Sequence, residues 1–239
     1  VLNFPQKYFL NEFARFVVLK YTDDDDKSLR NSAAGTVCFL FSNDPIINEN
    51  SLNSLVAMGE ILNHLLTLAV TDPSSQIRSD VLGMLSENFD SQLSQPNNVQ
   101  LLLLALNDLN FAVRKNALVI LCRVSHKNPS FVLPSLRKTL IQLLTDLQYS
   151  SVETIKEESA LLLTELINSS NNLVKPFIKP ILDCFIPIIK SEKISTLNFI
   201  TVKSLGVLSD IVGENFKTML AKIFPLLLGP LKDNSAALS

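Results

Sequence analysis

An all-α fold, a solenoid of about five antiparallel helix pairs, is predicted by three features of the sequence. Apolar residues recur at helical spacing, as in Leu133, Leu136, Leu140, Leu143, Leu144 and Leu147. No stretch sustains the period-two alternation of a half-buried strand, so no strand is predicted. An acidic residue followed six positions later by a basic one recurs at the mouth of successive amphipathic segments: Asp24 and Arg30, Asp72 and Arg78, Asp108 and Arg114.

Two further copies extend the series. Ser150 precedes Lys156 by the same six residues, and a degenerate copy, "STLNFITVKSLGVL", places Thr201 in the basic position. The anchors at 30, 78, 114, 156 and 201 are separated by 48, 36, 42 and 45 residues. A period of roughly 40–47 residues is that of two-helix HEAT or armadillo units, each pair burying a face it cannot bury alone. Residues 1–239 are read as a single solenoid, part of a much larger chain.

Each second helix carries its own apolar stripe: Val113, Ala117, Leu121 and Val124 in one copy, Ile155, Leu162, Leu163 and Leu166 in the next. Asn128 before Pro129 reads as an N-cap with proline at the first helical position. Ser150 with Glu153 reads as a capping box. Pro134, Pro176, Pro180 and Pro187 lie within first-helix patterns, where each removes a hydrogen bond, and a break at Pro187 competes with a continuous helix. The Asp and Arg of the series form a structural ladder: each Arg bridges the Asp of its own turn and that of a neighbouring turn. Phosphate binding by Arg30, Arg78 and Arg114 is the lesser alternative.

Composition excludes several functions. Hydrophobic residues make up 47% of the 239, and mean hydropathy is +0.26, enough for a continuous core and unlike a disordered chain. The richest apolar stretches, Leu101–Leu106 and Ile223–Leu231, fall far short of the ~20 residues that span a bilayer. Net charge is −2 with no basic cluster and no tryptophan, so nucleic acid is not an expected partner. Cys38, Cys122 and Cys184 are dispersed within apolar stretches and read as reduced, buried thiols of a cytosolic or nuclear protein.

Catalytic signatures are missing. The six glycines are scattered, with no G-x-G-x-x-G, GK[ST], HRD or DFG. His64 and His126 stand alone, without the companions a metal needs. The run "DDDDK", Asp23–Lys27, lies inside a repeat copy and reads as a solvated turn rather than a calcium loop. No catalytic, cofactor-binding or metal-binding residue is assigned, no cofactor is expected, and partner-binding residues are not specified.

One stretch goes beyond a generic repeat. "ALNDLNFAVRKNA", "NPSFVLPSLRKTLIQLLTDL" and "IKEESALLL", within residues 108–167 and their flanks, resemble the amino-terminal HEAT region of target of rapamycin (TOR) kinases. The similarity extends from about Thr71 to Lys190. It implies a non-catalytic scaffold of a phosphatidylinositol-3-kinase-related Ser/Thr kinase whose catalytic and rapamycin-binding domains lie elsewhere in the chain. It further implies dimer assembly with a second copy, docking of raptor- or rictor-type subunits, nutrient and growth signalling, and a cytoplasmic location with peripheral placement at vacuolar or lysosomal membranes. The competing reading is a HEAT-repeat nuclear transport receptor or another HEAT adaptor.

Overall fold

A computed structural model describes residues 13–14, 17–43, 52–191 and 195–213; the apolar run at 223–231 lies outside them. Eleven α-helices and no strands occur among the described residues: α1 (Lys27–Asn43), α2 (Leu52–Thr71), α3 (Ser75–Met84), α4 (Asp90–Leu93), α5 (Pro96–Ala105), α6 (Phe111–Val124), α7 (Pro129–Tyr149), α8 (Glu153–Ser169), α9 (Asn171–Val174), α10 (Ile178–Lys190) and α11 (Thr196–Val212). The chain divides into two compact units, residues 1–132 and 133–239, with the boundary in the first turn of α7.

In the first unit, α2 packs on α3 and α5 packs on α6. The joins within these pairs are only residues 72–74 and 106–110, short enough that the packed helices run antiparallel. The α3 helix lies between α1 and α6, while α2 lies against α5, so first and second helices form separate layers. Their interface is built from Ile61, Leu65, Ile77, Val81, Leu102 and Leu118, all fully or almost fully buried. Phe89, in a 3-10 turn at Glu87–Phe89, is also fully buried.

In the second unit, α11 packs on both α8 and α10. The core includes Leu140, Leu163, Leu166, Ile181, Phe185 and Leu208. The α7 helix passes through Pro134 without interruption, and α10 likewise continues through Pro187. A break occurs earlier, in a 3-10 turn at Lys175–Phe177 containing Pro176. Pro180 falls in the first turn of α10, where its missing N–H has no intrahelical partner to lose.

Helix starts show where local signals compete. Pro129 opens α7 as predicted, but the Asn128 amide donates to the Ser94 carbonyl at 2.8 Å. The capping box at Ser150 and Glu153 is not formed. Val152 occupies the N-cap position without a side-chain cap, and Glu153 is already the first helical residue. Ser150 Oγ instead accepts the Val152 N–H at 3.2 Å, two residues ahead of the N-cap position. Side-chain caps do form at Asn110, whose Oδ1 accepts the N–H groups of Ala112 and Val113, and at Ser195 before α11. Asn110→Ala is expected to cost about 1 kcal/mol, measurable as a lower urea midpoint at unchanged slope.

Candidate functional site

The most regular polar feature is the ladder across α1, α3 and α6. Its six-residue spacing has a geometric origin: the Asp starts the turn, the N-cap residue follows two positions later, and the basic residue is the fourth of the helix. Arg30, Arg78, Arg114 and Lys156 are each the fourth residue of α1, α3, α6 and α8. The Asp carboxylate accepts the N–H two residues on, at 2.8 Å for Asp24 and Asp26, 2.7 Å for Asp72 and Ser74, and 2.7 Å for Asp108 and Asn110. This closes the turn and aims the following helix.

Each Arg then binds its own turn, and two of the three, Arg30 and Arg78, also bind the next. Its Nη1 donates to the main-chain carbonyl of its own Asp, at 2.9 Å for Arg30, 2.7 Å for Arg78 and 2.9 Å for Arg114. Arg30 Nε and Nη2 reach the Asp72 carboxylate at 2.7 and 3.3 Å, and Arg78 Nε and Nη2 reach Asp108 at 2.8 and 2.9 Å. Arg30 and Arg78 thus each touch the Asp of their own turn through its peptide carbonyl and the Asp of the neighbouring turn through its carboxylate. The Asp72 and Asp108 carboxylates are already engaged by their turn N–H groups and by the preceding Arg. Burial opposes ionisation of Asp72, yet Arg30, the Ser74 N–H and the charge of Arg78 outweigh it and hold its pKa below the usual value. For Asp108 the bond from Arg78 dominates and has the same result.

These pairs are largely shielded: the Arg30 and Arg78 side chains are 12% and 15% exposed and their carboxylate partners 1% and 10%. Guanidinium groups so occupied are not available to a phosphate. Arg114 also donates to Leu109 O at 2.8 Å and lies 5.9 Å from the Phe111 ring centroid.

The anchor of the last copy is displaced. The fourth residue of α11 is Phe199, which is 71% exposed, not Thr201. Thr201 is fully buried and donates to Leu197 O at 2.7 Å. That copy has neither an acid nor a base at the expected spacing, and its helix start is marked instead by the N-cap Ser195, whose Oγ accepts the Asn198 N–H at 3.4 Å. Ile155 was also expected in the core, but it is 42% exposed at the start of α8.

Further interhelical contacts lack a repeated sequence signal. Arg123 in α6 binds Asp90 at 2.7 Å and donates to the carbonyls of Leu85 and Ser86. Asn116 donates to the carbonyl and hydroxyl of Ser79. In the second unit, the Thr164 and Ser204 hydroxyls meet at 2.5 Å between α8 and α11. Each is a single occurrence, so repetition could not reveal it.

Where the second unit departs from the ladder, a groove opens. The Lys156 side chain has no hydrogen-bond or ion-pair partner among the described residues, and Lys156 lines a cavity of about 440 Å³ with Glu153, Asp183, Pro187 and Asn198. A second cavity of about 430 Å³ lies between α7 and α10. The two meet at Gln148, Asp183 and Cys184. Helical spacing explains the walls: Ile141, Leu144 and Gln148 share one face of α7, while Pro180, Asp183, Cys184 and Pro187 share one face of α10.

The remaining candidates do not assemble chemistry. Cys38 and Cys122 are buried and Cys184 is half-buried. Burial pushes the Cys38 thiol up to about 12, and burial with the nearby Asp183 charge also raises Cys184. Thr22 Oγ1 donates to Leu19 O and therefore accepts from His64 Nε2 at 2.6 Å, while His126 is exposed. Within the acidic run, Asp24 and Asp26 cap local N–H groups. Among the described residues, no three metal-ligating side chains cluster and no helix is long and apolar enough to cross a membrane.

No protein-family model matches the chain. It is 42% identical over 229 residues to serine/threonine-protein kinase TOR2 of Saccharomyces cerevisiae, covering 96% of this chain and 9% of that protein. It is 38% identical to serine/threonine-protein kinase tor1 of Schizosaccharomyces pombe, covering 97% of this chain and 10% of that protein. Identity to serine/threonine-protein kinase TOR of Arabidopsis thaliana is 33%, covering 95% of this chain and 10% of that one. The chain thus spans about a tenth of the length of these curated relatives. A segment of this extent without kinase motifs is not their kinase domain.

Proposed function

The chain is homologous along nearly its whole length to one segment of the TOR family of serine/threonine-protein kinases, and on that basis we propose that it is a non-catalytic scaffold within such a kinase. Its role is to support a dimeric assembly with a second copy and to dock large accessory subunits of raptor or rictor type. The parent complex would act in nutrient and growth signalling, in the cytoplasm and peripherally at vacuolar or lysosomal membranes through its partners. The observation that carries this reading is the homology itself, continuous through the helical repeats. The ladder supports it physically: charge-assisted bonds hold successive turns in register, as a rigid docking surface requires.

Crosslinking mass spectrometry of the parent complex isolated from cells tests the proposal. Crosslinks are expected from exposed lysines of this segment, such as Lys138 and Lys203, to a large accessory subunit or to the same segment of a second copy. Crosslinks confined to transport cargo and a small GTPase would overturn it.

A further inference from the structure

The groove between α7 and α10 differs from the ladder in one respect: its central charge is unanswered. Asp183 is exposed, its carboxylate makes no hydrogen bond or ion pair among the described residues, and it borders both cavities. Ile141 and Leu144 lie on one side and Phe177 and Pro180 on the other, so the carboxylate stands between apolar walls. At the end nearest α8, Glu153 and Lys156 also line the first cavity.

We propose that this groove docks an apolar segment of another protein that places a Lys or Arg against Asp183. This deepens the scaffold reading and rests on it. The cavities, about 440 and 430 Å³, adjoin along one face of α10, so the occupant would lie along that helix rather than insert a single side chain. Its apolar residues would cover Ile141, which is 50% exposed, and its cation would restore the acid–base pairing found between consecutive turns of the first unit. A purely apolar occupant would bury Asp183 unpaired, which is strongly unfavourable. An acidic occupant would meet Asp183 with like charge.

Cys184 provides an internal reporter. It sits in the groove and is half-buried, whereas Cys38 and Cys122 are buried. The test uses the full-length parent chain in its native complex, with a photo-crosslinking amino acid at Gln148, which borders both cavities, and a control at Gln142. The Gln148 probe is expected to capture a peptide of another subunit with a Lys or Arg within one helical turn of the crosslink. Asp183→Lys should lower that yield at least tenfold, and an acidic substitution of the captured basic residue should restore it. Maleimide labelling of Cys184 should be at least threefold slower in the complex than after the associated proteins are stripped.

An unchanged yield in Asp183→Lys, or equal labelling rates, would overturn the proposal. So would capture of a second copy or of this chain's own residues 214–239. If Gln142 and other surface positions crosslink to accessory subunits while Gln148 does not, the groove proposal fails and the scaffold reading stands. If no position in the segment reaches another subunit or a second copy, both fail.

Discussion

Thr201→Arg is expected to unfold the packing of α11, whereas Phe199→Arg leaves it intact. Thr201 is fully buried, with Leu197, Ile200, Ser204, Leu205 and Leu208 buried on the same helix. Its hydroxyl is satisfied by the Leu197 carbonyl. A guanidinium at this point would lose its hydration without gaining a carboxylate, and its volume would displace the interface with α8. Those two effects together should cost more than ~4 kcal/mol, among the largest losses a single substitution produces. Phe199, two residues earlier, is 71% exposed, and an Arg there should shift stability by less than about 0.5 kcal/mol. Urea unfolding followed by far-ultraviolet circular dichroism separates the cases: the first variant loses its second-unit transition, and the second keeps it. If Thr201→Arg were as stable as the parent, the sequence anchor would be correct and the helix register described above would be wrong.

The contrast between these neighbouring positions shows what the sequence makes legible. The spacing from Asp to Arg is set locally, by one turn residue, one N-cap and four helical positions, so it survives as a pattern wherever both charges remain. In the last copy both are gone, and a buried Thr two residues away imitates the anchor because its neighbours are equally apolar. The partner of each Arg is a different matter. Arg30 lies 42 residues from Asp72, and only the stacking of α1 on α3 decides that its carboxylate comes from the next turn rather than its own. Arg123 with Asp90 and Thr164 with Ser204 depend on the same packing but occur once each.

Pro187 illustrates a second limit. A proline in a helix removes one N–H donor, here the one for the Asp183 carbonyl, and whether that breaks the helix depends on what else satisfies the carbonyl. Asp183 is exposed at the groove, where water can do so. Exposure of that side of α10 is a property of the packed unit, and no local pattern announces it. The groove itself was hidden for the same reason: its two walls are separated in sequence, and neither carries a motif.

Arg78→Met should destabilise the first unit by about 3 kcal/mol at neutral pH, the low end for a broken buried pair because the side chain retains some contact with water. The loss has two parts. The Asp108 carboxylate, 10% exposed, loses a two-point bond to Arg78, and the Asp72 carbonyl loses the Nη1 donor at 2.7 Å. Methionine fills much of the space, so the effect reports the polar contacts more than a cavity. Arg78→Lys, which keeps the charge but cannot make the fork, should fall between the two. The pH dependence identifies the mechanism. The Arg78 bond is the main reason Asp108 ionises more readily in the folded chain than its ordinary value allows. A lowered folded pKa contributes stability that is complete above the unfolded value, about 4 for Asp, and is lost as the pH falls through the folded value. The parent chain should therefore lose part of its advantage over Arg78→Met below about pH 4, so that the two stability curves converge in acid. Parallel curves from pH 7 to pH 2 would mean that the variant had damaged packing alone, and that the ladder contributes little through charge.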